Sequence, residues 1–134
     1  MIHKGAIRHG CFVVILLPLA LAGCSMRVPV DQVYGTYIAS YPFGTDTLTL
    51  NRGGTFAQTV EITGQQPATV HGRWEFDSEE SRANLYGAMI IADGFDHLRK
   101  DWQAVTPGIV SLDVEKHWFK ILMGSAATHP YVKR

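Results

Sequence analysis

The segment DTLTLNRGGTFAQTVEIT, residues 46–63, decides the fold, because two stretches of alternating apolar and polar residues flank a glycine-rich turn. In residues 56–62 every second position is apolar except Gln58, which falls on the inner face. Alternation with a period of two is typical of a half-buried β-strand. Residues 52–54, Arg-Gly-Gly, supply the chemistry of a tight turn. The segment therefore predicts an antiparallel hairpin.

The same alternation of apolar and polar residues recurs further along the chain. Residues 68–77, ATVHGRWEFD, repeat the alternation with Trp74 on the apolar face. Further strands are predicted at 35–40, 85–92, 103–106, 109–115, 117–123 and 131–134. Residues 78–84 begin with a serine N-cap and early acids and predict a helix, while 93–102 predict one turn or an irregular loop. We expect an all-β domain, a small antiparallel up-and-down barrel or curled sheet of about eight strands.

A bulky set of residues is predicted to point inward. An eight-stranded barrel has an interior just wide enough for its own side chains or one small ligand, and these residues look large enough to fill it. The inward set is Leu48, Leu50, Phe56, Trp74, Phe76, Met89, Ile91, Leu112 and Phe119.

The first 23 residues have the organisation of a secretory signal peptide, which we expect to be helical. Lys4 and Arg8 give a positive start, residues 10–21 are apolar, and residues 22–23 are small, as signal peptidases require. The apolar run is shorter than the roughly twenty residues that span a bilayer. A transmembrane helix is therefore not expected here.

A cysteine follows this segment directly. Leu21-Ala22-Gly23-Cys24 resembles the lipobox of bacterial lipoproteins, which implies acylation of Cys24 and cleavage before it. Two or more acyl chains make a stable membrane anchor, whereas one holds only marginally. Ser25 in place of aspartate resembles the outer-membrane type and implies a lipid-anchored protein that faces the periplasm. The alternatives are an ordinary signal peptide with a chance cysteine, or a buried helix of a cytosolic domain.

These boundaries divide the chain into a signal peptide at 1–23, a lipidated cysteine and linker at 24–33, and a barrel domain at 34–134. Cleavage leaves 111 of the 134 residues, the size of one domain. It removes two of the 12 basic residues and none of the 12 acidic ones, so the net charge becomes −2. This balance argues against a nucleic-acid partner. Cys24 is then the single remaining cysteine and no disulfide is expected.

Three short motifs carry a family resemblance. GTY at 35–37, LTLNRGGTF at 48–56 and GRW at 72–74 resemble the G-x-Y, L-x-L-x-x-x-G-x-F and G-x-W rhythm of bacterial lipocalin-like lipoproteins. The resemblance implies a small barrel, and in true lipocalins a tryptophan near the first strand packs on a basic residue near the last; this chain has tyrosine at the first of these positions. Those positions are Tyr37 and either Lys133 or Arg134.

The chemistry-bearing residues form no recognisable catalytic or metal-binding motif. The histidines, including His71 and His117, lack the spacing that places two metal ligands on one helical face. The acids of residues 93–101 do not match a calcium loop, and residues 123–128 lack the second glycine of a nucleophile elbow. We therefore predict a non-enzymatic protein without cofactor or metal.

Two functional hypotheses remain. The first is a protein-interaction module of the cell envelope, held to the membrane through acyl chains on Cys24. The alternative is a lipocalin-like carrier of a small apolar or amphipathic ligand. In either case residues 93–102 are the candidate binding loop, because aromatics and arginine often anchor interfaces. An alternative role for the loop is a plug at the end of the barrel, with Phe95, Leu98 and Trp102 on one apolar face of a short helix. The candidate binding residues are Phe95, His97, Arg99 and Trp102.

Overall fold

Eight antiparallel strands close into a barrel in this computed structural model, which describes residues 27–125 and 127–134. Each strand pairs with the next in sequence, and the first pairs with the last. The elements are α1 Val30–Val33, β1 Gly35–Tyr41, β2 Gly44–Leu50, β3 Thr55–Ile62, β4 Ala68–Asp77, β5 Arg82–Tyr86, β6 Ile109–His117, β7 Lys120–Met123 and β8 Tyr131–Lys133. The predicted all-β barrel of about eight strands is confirmed. The predicted signal peptide and Cys24 lie outside the described residues.

The two ends of the barrel differ in character. The end that we call the tether end, after the attachment predicted at Cys24, comprises α1, the C-terminus and the short turns β2–β3, β4–β5 and β6–β7. The loop end comprises the connections 42–43, 63–67, 87–108 and 124–130. Because consecutive strands alternate in direction, these two sets of connections lie at opposite ends.

None of the helices within residues 27–125 and 127–134 has the length and hydrophobicity of a transmembrane span.

The central hairpin forms as the sequence predicts. Leu50 lies opposite Phe56 across the β2–β3 turn, and Gln58 is buried on the inner face. Tyr37 of β1 lies opposite Lys133 of β8 where the barrel closes. Period-two alternation was therefore sufficient to assign inside and outside in β2 and β3.

Side chains fill the interior in two clusters. Trp74 is buried as predicted. The tether-end cluster includes Val28, Val33, Tyr37, Leu48, Leu50, Phe56, Trp74, Leu85, Val114, Ile121 and Met123. The loop-end cluster comprises Val60, Ile62, Met89, Ile91 and Trp102. Burying these apolar surfaces supplies the main driving force for folding.

The predicted inward position of Phe119 is wrong. The continuous strand expected at 117–123 is broken by a two-residue turn at Trp118 and Phe119, with His117 opposite Lys120. The turn resets the alternation, and Phe119 projects into solvent. Phe76 and Leu112 are half-buried against the tether-end cluster.

The helix predicted over residues 78–84 is also wrong. The Asp77 carboxylate accepts the backbone N–H groups of Glu79 and Glu80, at 3.0 and 3.1 Å. A side chain that bonds the backbone two and three residues ahead stabilises a turn in competition with a helix. Ser81 has a positive φ of 53° and its hydroxyl donates to the carbonyl of Val114. The result is a tight β4–β5 turn.

The strands predicted at 85–92 and 103–106 are largely absent. β5 ends at Tyr86, and Gly87 with φ 88° turns the chain out of the sheet. Two isolated bridges, Met89 with Val105 and Ala92 with Leu98, fold residues 87–108 back on themselves. This long connection closes over the loop end of the barrel.

Part of the predicted linker packs on the barrel. Val28 and Val33 are buried in the tether-end cluster, and the Tyr37 hydroxyl donates to the Val33 carbonyl at 2.6 Å. The segment predicted to be a linker up to residue 33 is therefore held against the domain from Val28 onward.

Candidate functional site

A cleft of about 220 Å³ opens at the loop end of the barrel. It lies between the start of the long β5–β6 connection, the end of β1 and the β7–β8 connection. Its lining combines apolar side chains with three carboxylates. The residues that define it are Tyr41, Asp46, Met89, Ile91, Asp93, Asp96, Val110, Leu112, His129 and Tyr131.

The floor of the cleft is the carboxylate of Asp46 in β2, which is only 1 % exposed. Its Oδ2 accepts a hydrogen bond from Gln58 Nε2 at 2.9 Å and another from the Tyr131 hydroxyl. Its Oδ1 is buried and has no hydrogen-bond partner within the described part of the chain. A buried polar atom left unsatisfied costs free energy, so each such atom in a folded protein needs an explanation.

Burial raises the pKa of Asp46 to about 6, although the hydrogen bonds from Tyr131 and Gln58 favour the charged form. At neutral pH the group is therefore mainly ionised and buried. Burial and the nearby Asp46 charge raise the pKa of Tyr131 well above its ordinary value. Its hydroxyl thus stays protonated and remains a donor to Asp46.

Gln58 links this carboxylate to the long connection. Its amide nitrogen also donates to the Met89 carbonyl at 3.1 Å, and its amide oxygen accepts the Met89 N–H at 2.8 Å. Both ends of the buried amide are therefore satisfied. The bonds hold Met89, and with it one wall of the cleft, in a fixed position over Asp46.

The rim of the cleft is acidic. Asp93 and Asp96 lie on it, and the residues that line it include no lysine or arginine among those described. The backbone N–H groups of His97 and Phe95 hold the pKa of Asp93 below its usual range, so this carboxylate is charged at neutral pH. His129 packs on the Tyr41 ring with centroids 4.9 Å apart. The cleft thus combines apolar walls with a negative floor and rim.

The structure separates the candidate binding residues of the 93–102 loop. Phe95 is 82 % exposed, with its ring 6.5 Å from that of His97, whereas Trp102 is only 4 % exposed. Arg99 forms a two-point ion pair with Asp101, at 2.9 and 3.0 Å. Trp102 packs into the loop end of the barrel, as a plug would. Phe95, which the plug hypothesis placed on the same buried face, is instead exposed beside the cleft together with His97, and the loop, which the structure describes in full, contains no helix.

Sequence reasoning missed Asp46, although a signal was present. Asp46 has the same parity as Leu48 and Leu50, which both point inward. An acid on the inner face of an otherwise apolar strand predicts a buried charge, and buried charges mark candidate functional sites. Tyr131 gave no such signal, because its partner lies 85 residues away.

Among the described residues, no group of three or more histidine, cysteine, aspartate or glutamate side chains is placed to hold a metal ion. No protein-family model, curated protein or solved structure matches this chain. The cleft and its charges therefore have to be interpreted from their own chemistry.

Proposed function

We propose that this chain is a non-catalytic protein-interaction module of the cell envelope, with a lipocalin-like barrel anchored to the outer membrane through Cys24 and facing the periplasm. The observation that carries the proposal is the unpaired, buried oxygen of Asp46 at the base of an acidic cleft. This cleft opens at the loop end, opposite the end where the chain leads back toward Cys24. An anchored protein would present it away from the tether.

The partner is expected to insert a basic side chain into the cleft. Asp46 is a buried charge without a cationic neighbour among the described side chains that line the cleft. A lysine or arginine of a partner at the base of the cleft would compensate this buried charge, and charge-assisted interactions of this kind are strong. The charges of Asp93 and Asp96 would attract the same cation to the rim.

The filled interior supports an interaction module over a carrier with an internal cavity. The two core clusters occupy both halves of the barrel, and the cleft of about 220 Å³ is smaller than the roughly 300–1,000 Å³ of ordinary ligand pockets. The alternative is a carrier of a small amphipathic ligand, and the chemistry of the cleft supports it for one class of ligand only. Apolar walls and a negative floor would suit a small amine with a short apolar body.

The test compares the wild type with Asp46→Asn. Because burial raises the pKa of Asp46 to about 6, the native state is stabilised below pH 4, and this stabilisation is lost as the pH rises through 6. Asparagine stays neutral, so at pH 8 the variant should be more stable than the wild type, by on the order of 1–3 kcal/mol. At pH 4 the two should unfold at similar denaturant concentrations.

The same variant should lose its partner. With a photo-cross-linking amino acid in place of Phe95, between two residues that line the cleft, we expect a discrete protein adduct in producing cells. The adduct should weaken strongly with Asp46→Asn, a loss that unfolding cannot explain. His71, exposed on the outer wall of β4, is the matched control position. Equal adducts from both positions, or an undiminished adduct with Asp46→Asn, would contradict the proposal.

A further inference from the structure

The β6–β7 turn displays two large aromatic side chains to solvent. Trp118 is 90 % exposed and Phe119 is 95 % exposed. Trp118 also has a positive φ of 56°, at the first position of a two-residue hairpin turn, where glycine is favoured. A bulky residue in such a conformation is an outlier, and strained, exposed aromatics are more readily explained by binding than by folding.

Basic residues surround this turn. A shallow groove of about 400 Å³ beside Phe119 is lined by Lys116, Lys120, Lys133 and Arg134, and among the described residues that line it Asp31 is the one acid. We define the docking face as Trp118 and Phe119 together with these four basic residues. Burial lowers the pKa of Lys133, whose ammonium donates to the Gln32 carbonyl.

Other acidic residues at the tether end, among them Glu115, Asp113 and Asp77, lie outside the groove. Glu115 accepts a hydrogen bond from His117 at 2.8 Å. This bond keeps the Glu115 carboxylate beside β6, before the turn. Glu79 and Glu80 lie in the separate β4–β5 turn. The docking face therefore presents aromatic side chains next to a local excess of positive charge.

The chain before the barrel brings this face close to the proposed anchor. Val28 is buried in the barrel, so only four residue steps separate it from Cys24. Four fully extended residues span at most about 14 Å. Within this packed segment, Gln32 contacts Lys116 of the docking face through its side-chain oxygen, at 3.4 Å. A membrane attached at Cys24 would lie beside the docking face.

We infer that the docking face contacts an anionic bilayer surface, with Trp118 and Phe119 at the level of the lipid headgroups. The inference rests on the proposed attachment through Cys24. Tryptophan prefers the membrane–water interface, and lysine and arginine near a membrane are attracted to anionic lipids. Attachment together with docking would fix the barrel with its tether end on the membrane. The acidic cleft at the loop end would then face the aqueous compartment.

The experiment supplies the anchor chemically, so that it does not depend on acylation in the cell. The strands and both core clusters lie within residues 28–133, and Cys24 is the one cysteine from residue 24 onward. The chain 24–134 is therefore coupled through Cys24 to a maleimide phospholipid in vesicles of phosphatidylethanolamine and phosphatidylglycerol. Bromine-labelled lipids in the same vesicles quench any tryptophan that reaches the membrane.

The signal is specific, because the chain has three tryptophans and Trp74 and Trp102 are buried. We expect brominated lipids to quench roughly half or more of the Trp118 emission, and this quenched component to disappear with Trp118→Ala. Lys116→Glu with Lys120→Glu should abolish most of the quenching. The control pair Arg73→Glu with Lys100→Glu makes the same change in net charge elsewhere and should leave the quenching intact.

The contrary result is Trp118 emission in the coupled protein that is quenched by iodide in the water and unaffected by brominated lipids. That result would contradict membrane docking of Trp118 without contradicting the proposed anchor at Cys24. Quenching that is equal in vesicles of phosphatidylcholine alone would overturn the role of the basic residues. Failure of Cys24 acylation in the cell is a separate result and would not alter this measurement.

Discussion

Trp74→Ala should lower the free energy of unfolding by about 3–5 kcal/mol, the usual cost of removing a buried tryptophan. Trp74 is 4 % exposed in the tether-end cluster, and the Tyr34 ring packs edge-on against it at 5.6 Å. Its indole N–H donates to the Asn51 carbonyl at 2.9 Å. The substitution therefore leaves a large cavity and removes the donor to the β2–β3 turn.

The matched control for Trp74 is Trp118→Ala, because Trp118 is exposed on the β6–β7 turn. Surface substitutions usually change stability by less than about 0.5 kcal/mol. Denaturant titration of both variants measures the difference. A change near zero for Trp74→Ala, as small as that for Trp118→Ala, would mean that the inside and outside faces of β4 have been assigned incorrectly.

Trp102→Ala should be the second most damaging substitution, again at about 3–5 kcal/mol. Trp102 packs with Val60, Ile62, Met89 and Ile91 at the loop end. Its indole N–H donates to Gln65 Oε1 at 3.2 Å. Its loss should loosen the long β5–β6 connection. We therefore expect amide hydrogen exchange at residues 88–105 to be faster in the variant than in the wild type, with a smaller change in the strands.

Phe95→Ala is the control within the same connection. Phe95 is exposed, so its removal should change the unfolding free energy by less than about 0.5 kcal/mol while weakening capture of a partner. A large destabilisation by Phe95→Ala would show that the whole 93–102 loop is a structural plug. A stable Phe95→Ala variant with undiminished capture would remove this residue from the binding surface.

Much of the barrel could be predicted because its signals are local. The alternation in β3 and β4 and the Arg-Gly-Gly turn at 52–54 depend on neighbours within a few residues. The expected strand at 68–77 coincides with β4. Gln58 was recognised on the inner face because it interrupts an apolar alternation, and the structure explains it by its bonds to Asp46 and Met89.

The errors arose where distant contacts or unusual backbone decide the structure. Tryptophan and phenylalanine are not residue types that favour turns, so the hairpin turn at Trp118 and Phe119 was not predicted. Phe119 was therefore placed on the inner face of a strand. The mostly apolar segment at 85–92 was predicted to be one strand, but Gly87 turns the chain away so that the Met89 N–H can donate to Gln58 of β3. The cleft depends on β2 and β8 meeting at Asp46 and Tyr131, which only barrel closure brings about.

The most direct test of the proposed lipid anchor is acylation of Cys24. In bacterial cells that produce the full chain with a radioactive fatty acid, we predict that the wild type incorporates label and sediments with outer membranes. Cys24→Ala should incorporate none and retain residues 1–23, whereas Cys11→Ala, the matched control, should be labelled normally. A wild-type protein that carries no label and remains in the aqueous fraction would contradict the account.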